Sequence, residues 1–164
     1  MSWYRLCWLA LGLVLIECHP RLNTPEKFQA GLQTAVAQSD GLLFFRCLDL
    51  ETRWSIESTF RDQKTMRTLI LAKYPEAEMA RALFSMPFAD EPDAPHFFAR
   101  WATENKLFDR DRQAPFANLP PKRSSDGNYG LDPWLGEWKV LQERAAHDLM
   151  TVRQNAALYR KVAQ

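Results

Sequence analysis

The chain has 164 residues, 46% of them hydrophobic, with six Trp and ten Phe, and carries a formal charge of +1 at pH 7. That is the length and apolar content of one globular domain with a core, which excludes a chain disordered throughout. The near-neutral charge provides no strong field for nucleic acid, and removing Arg5 and Glu17 with a leader leaves it unchanged.

The first element is apolar. Residues 6–20 read LCWLALGLVLIECHP, an apolar or small run from Leu6 to Ile16 followed by Glu17, Cys18, His19 and Pro20. The run has the length of a secretory h-region and is well short of the ~20 residues that cross a bilayer as a helix. Small residues suited to an ordinary signal peptidase are not in place near its end, whereas Cys18 is. Leu15-Ile16-Glu17-Cys18 resembles the lipobox of bacterial lipoprotein leaders, in which Leu, an aliphatic or small residue, and Gly, Ala or Ser precede an acylated Cys. Glu17 departs from that pattern beside the cut. The resemblance implies a signal peptide over 1–17, lipid on Cys18 and a tether over 18–23. It also implies a membrane-anchored domain over 24–164, in the periplasm or outside the cell. His19, rather than Asp, after the Cys is similar to lipoproteins sent to the outer membrane. An inner-membrane signal anchor, ordinary secretion and a buried N-terminal helix are the other readings of the same run.

The domain reads as mainly α. Thr24 is an N-cap residue, Pro25 suits the first helical position and Glu26 complements the helix dipole. Phe28, Leu32 and Val36 then give one apolar face until Ser39-Asp40-Gly41 breaks the helix. A short apolar helix, LLFFRCL, follows; its Cys47 reads as a buried small hydrophobe or a reactive thiol. From Asp49 to Tyr74 there is neither Gly nor Pro, which predicts a long helix. One side of it carries Ile56 and Phe60, then Met66, Ile70 and Tyr74; another carries Arg53, Arg61, Lys64 and Arg67, diluted by Glu57 and Asp62. The basic stripe is a solvated face or an anion or lipid-headgroup site.

Pro75 ends that helix, and PEAEMARALF starts another with Met79 and Leu83 on one side. Pro87, Pro92 and Pro95 mark a linker, after which Asp93 caps a helix bearing Phe97 and Trp101. Residues 109–131 show no helical period, and Asp126-Gly127 suits a tight turn, so one small β-hairpin fits there. Asp132 and Pro133 start a long C-terminal helix. Trp138, Leu141, Ala145, Leu149, Val152, Ala156, Tyr159 and Ala163 recur along it at three- and four-residue steps. That seam requires a partner helix, from the first half of the chain or from a second copy.

Candidate chemistry is sparse. His19, His96 and His147 have no metal-ligand spacing, Ser124 and Ser125 lack a nucleophile elbow, and Asp109 and Asp111 alternate with Arg110 and Arg112. Asp126, Asn128, Gly130, Asp132 and Glu137 fall at ligand positions of a calcium loop. Leu131 stands where that loop needs Gly, and no helix precedes it, so the stretch reads as a turn before a capped helix. No catalytic residue, metal or cofactor is expected.

Residues 24–54, TPEKFQAGLQTAVAQSDGLLFFRCLDLETRW from Thr24 on, resemble the two-helix opening of NTF2-like domains. The resemblance stops there, because residues 55–106 read as helix where that fold needs a curved sheet. The leader and helical opening together resemble a group of predicted bacterial envelope lipoproteins, from which no activity follows. The expected function is a non-enzymatic binding or assembly component of the cell envelope. Its partners would be the membrane and an envelope protein or a second copy on the C-terminal helix. The alternatives are a signal-anchored protein, or a helical pocket lined by Phe28, Phe44, Phe45, Trp54, Phe97 and Trp101 that binds an apolar ligand or hosts a reaction.

Overall fold

The computed structural model describes residues 21–84, 86, 88–109, 120–132 and 136–162. Cys18 and His19, Asp111 with its flanking Arg110 and Arg112, Pro133 and Ala163 lie outside them. The described residues form six helices and one two-stranded antiparallel sheet.

Helix α1 (Pro25–Gln38) starts as its sequence dictates: the Thr24 hydroxyl accepts the Lys27 N–H at 3.3 Å, with Pro25 in the first turn. It ends where Ser39 turns left-handed, at φ 53°. The Ser39 and Asp40 N–H groups then reach back to the carbonyls of Val36 and Ala35, which satisfies the last turn. Asp40 at once caps α2 (Gly41–Cys47), its carboxylate accepting from Leu42 and Leu43. Asp49 caps α3 (Leu50–Lys73) through the Thr52 N–H at 2.8 Å. Pro75 follows its end, and α4 (Glu76–Phe84) begins directly after. Asp93 caps α5 (Ala94–Glu104), accepting from the His96 N–H. Strands β1 (Lys122–Arg123) and β2 (Tyr129–Gly130) close around Asp126-Gly127, and α6 (Gly136–Val162) is the last element.

The seam on α6 is filled from within the chain. Trp138, Ala145, Leu149 and Ala156 are buried, and α6 packs chiefly on α3. The two helices run parallel: Trp138 Nε1 lies 3.5 Å from Ser55 Oγ at one end, and the Tyr74 and Tyr159 rings meet edge-on at 4.9 Å near the other. On α3 the buried positions are Ile56, Thr59, Gln63, Met66 and Ile70, a three- and four-residue rhythm that includes two polar residues. Thr59 satisfies its hydroxyl on the Ser55 carbonyl at 2.9 Å. Gln63 is only 4% exposed and its Oε1 has no hydrogen-bond partner among the described residues.

Two apolar clusters make the core. The larger is aromatic, and Trp138 is its hub: the indole lies 5.8 Å from Phe97, 5.9 Å from Phe98 and 5.0 Å from Trp101, ring centre to ring centre. Edge-to-face pairs of this kind add about 0.5–1.5 kcal/mol each beyond the area they bury. The smaller cluster joins Met66 and Ile70 of α3 to Ala145 and Leu149 of α6 and to Met86 and Ala89. The proline-marked linker is thus part of the core: Phe88 inserts into the first cluster while Met86 and Ala89 enter the second. Arg100 holds it from outside, stacked over Phe88 and paired with Glu91 at 2.9 Å.

Gly41 sits where α2 meets α5 backbone to backbone; a Cβ there would lie 2.6 Å from Ala99 Cα. Gly41→Ala should therefore lower stability by about 1–3 kcal/mol, seen as a lower urea midpoint at unchanged slope. Gln63→Met removes a buried unpaired oxygen at similar volume and should raise stability by about 1 kcal/mol in the same titration.

Candidate functional site

The hairpin is stitched to the start of α3. The Leu131 N–H donates to the Cys47 carbonyl and the Asp49 N–H to the Leu131 carbonyl, both at 2.7 Å, forming a parallel bridge between Leu48 and Leu131. Gly130 allows this approach, since a Cβ there would meet Asp49 Cα at 2.5 Å. On the other side the Tyr129 N–H donates to the Leu22 carbonyl at 2.8 Å, and Leu22 is buried. The first described residues, the hairpin and the N-terminus of α3 therefore share one end of the domain. Arg53 adds an ion pair to Asp126 at 3.0 Å.

At this end a groove of about 260 Å³ runs between α3 and β1, lined by Asp49, Glu51, Trp54, Lys122 and Arg123 among others. Trp54 is 59% exposed. Lys122 pairs with Asp132, which raises the lysine pKa above its ordinary value through that hydrogen bond and charge.

The opposite end holds a cleft of about 400 Å³ between the last turns of α3, helix α4 and the second half of α6. Its floor is Met66, Ile70 and Met86, and its aromatic walls are Tyr74 and Tyr159. Arg81 and Glu78 reach it from α4, Arg144 and Asp148 from α6. An apolar floor with a few charged groups at the rim, in this volume range, is what small-ligand and side-chain sites look like. Counting from Leu50, Met66 and Tyr74 are roughly 24 and 36 Å along α3, which sets the cleft well away from the hairpin.

A third groove, about 510 Å³, follows the outer face of α3. It gathers part of the basic stripe: Arg61 and Lys64 border it, with Phe60, Leu69 and Ala94 beneath, and Lys64 Nζ lies 5.2 Å above the Phe60 ring. Arg53 is drawn off this stripe to Asp126.

Other residues singled out by sequence are placed as follows. Phe28, Phe44, Phe45, Phe97 and Trp101 come together, but as one packed cluster with ring neighbours such as Phe98 and Phe108. Trp54, expected with them, lies outside that cluster in the hairpin-end groove. Cys47 is buried at the α2 C-terminus, and desolvation pushes its thiol up to about 12, so its position is that of an unreactive core residue. His96 lies 2.6 Å from the Asp93 carboxylate at the α5 cap, and exposed His147 lies 3.4 Å from Asp148. Arg81, Glu78 and Asp148 were invisible as a set in the sequence, because only the packing of α4 and α6 across α3 assembles them.

Compared with known proteins, the chain matches no family model, no curated protein and no solved structure at a significant level.

The hairpin lock should carry a pH signature. The Asn128 backbone N–H, 3.1 Å from the Asp126 carboxylate, and then Arg53 hold the Asp126 pKa below the ordinary 3.8. A depressed folded-state pKa contributes stability that is present above the unfolded value and lost as pH falls through the folded one. The stability advantage of wild type over Asp126→Asn should accordingly shrink as pH drops below about 4. Urea titrations of both proteins at stepwise lower pH check this; an advantage constant down to acid contradicts it.

Proposed function

We propose that the chain is a membrane-anchored bacterial lipoprotein: residues 1–17 are its signal peptide, Cys18 carries the lipid, and residues 18–23 tether a non-enzymatic binding domain. The domain works in the cell envelope, in the periplasm or outside the cell, with the outer membrane favoured by His19. Its binding site is the cleft among α3, α4 and α6, where an envelope protein or its ligand is received.

The observation that carries this reading is the separation of the two ends. Leu22, four residues after Cys18, is pinned by Tyr129 at the hairpin end, while the cleft opens roughly 24–36 Å along α3 from it. A lipid at Cys18 would hold the hairpin end low and present the cleft to the aqueous side, as a tethered receptor requires. A burial of Leu22 against α1 next to Gly31 supports the same reading, since it gives the tether a firm end. Among the described residues no helix is long and apolar enough to cross a membrane, so attachment in this reading comes from the leader and its cysteine.

Two acyl signals or more give durable anchoring, because each buried CH₂ adds about 0.8 kcal/mol of membrane affinity. The test is the intact mass of membrane-extracted protein, wild type beside Cys18→Ala. The expected wild-type mass lacks residues 1–17 and carries acyl groups, and Cys18→Ala loses both changes. A full-length, unmodified wild-type mass overturns the proposal and leaves a signal anchor or a non-exported chain.

A further inference from the structure

We propose that the hairpin end of the domain is a bilayer-contact face, on which Trp54, Lys122 and Arg123 meet the phospholipid headgroup layer; this rests on the lipid at Cys18 proposed above. The first argument is reach. Four residues separate Cys18 from Leu22, and an extended chain covers at most about 3.6 Å per residue, so Leu22 stays within about 14 Å of the acylated residue. Leu22 cannot swing free, because its carbonyl is bonded to Tyr129 and its side chain is packed against Gly31. Tyr129 in turn pairs with Arg123 across the hairpin. At about 4.8 Å per strand spacing, β1 lies about 10 Å from the Leu22 backbone. The anchor therefore keeps the β1 edge and its groove within about 24 Å of the acylated residue, close enough to reach the headgroup layer.

The second argument is what that end displays. Trp54 is 59% exposed beside Lys122 and Arg123, and both β1 residues are exposed. An amphipathic indole flanked by basic side chains is the pairing that membrane–water interfaces select. Charges of the opposite sign face the same groove: Asp49, mostly buried as the α3 cap, and Glu51. Lys122 is further offset by Asp132, and Arg53 by Asp126. The local field is consequently modest, and Trp54 rather than net charge dominates the face. A modest face suffices, since the tether makes its contact with lipid intramolecular and supplies a high effective concentration.

The test uses processed, full-length protein reconstituted into vesicles of phosphatidylcholine with some phosphatidylglycerol, with or without phosphatidylcholine brominated near the headgroup. Trp54 emission is obtained as wild type minus Trp54→Phe, with near-ultraviolet circular dichroism confirming that the variant keeps the packed aromatic core. The expected result is that brominated lipid removes at least half of this difference emission and that iodide added to the buffer quenches it weakly. Difference emission that ignores bromine and is fully quenched by iodide overturns the inference, and so does emission shielded from both, which would indicate a protein partner or second copy on the face. Intact mass is recorded on the same sample. An acylated mass without bromine quenching overturns this inference alone, whereas an unacylated mass overturns the anchor reading and this inference with it.

Discussion

Two long helices that run in the same direction cannot be joined by a turn, and the parallel pairing of α3 with α6 is the constraint on which the rest of this fold depends. After α3 has carried the chain roughly 36 Å from Leu50 to Tyr74, everything before Gly136 must bring it back to the starting end. Helix α4 turns the chain at the far end, the Met86–Ala89 stretch crosses between the two core clusters, α5 returns along the aromatic side, and the hairpin re-attaches beside Asp49. Each of these pieces is small: α5 packs on α2 and α3, and the hairpin is held by main-chain bonds to Leu22, Cys47 and Asp49. Trp138 shows the economy of this arrangement: one indole closes the gap between α6, α5 and Ser55 of α3.

The same return path explains why the domain has two unlike ends. At the starting end three backbone segments converge, Leu22, Cys47–Asp49 and Tyr129–Leu131, and their N–H and carbonyl groups satisfy one another. Such an end is rigid because it is knitted through the main chain, with Gly130 removing the one side chain that would hold the segments apart. At the far end the described contacts between α3, α4 and α6 are made by side chains. Met66, Ile70 and Met86 form the buried floor of the cleft, and charged residues from α4 and α6 stand around it. Methionine suits such a site, because an unbranched, polarizable side chain adapts to whatever surface it meets.

Gln63 lies on the buried face of α3 between these two regimes, with an apolar cluster on either side in sequence. Its unpaired oxygen costs stability that an apolar residue would not, and it marks the place where the aromatic core gives way to the methionine-lined half. The proposed role as a tethered binding domain draws on this division: a main-chain-bonded end beside Leu22 and a side-chain-built cleft away from it.

The sequence by itself determined the helices, two of their caps and the seam. Thr24 and Asp93 cap the helices they precede, and the apolar rhythm from Trp138 to Tyr159 faces inward along its described length, because these signals are local; the caps at Asp40 and Asp49 emerged only from the structure. Local signals could not say which helix fills the seam, that α3 and α6 run parallel, or that Thr59 and Gln63 occupy core positions; all three depend on contacts between distant segments. They also misassigned Trp54, since aromatic content announces burial on average while the hairpin contacts of α3 decide it residue by residue. The cleft was illegible for the same reason. Met66, Arg81, Arg144 and Tyr159 are ordinary helix residues until tertiary packing sets three helix faces around one space, and only that packing gives them a common site.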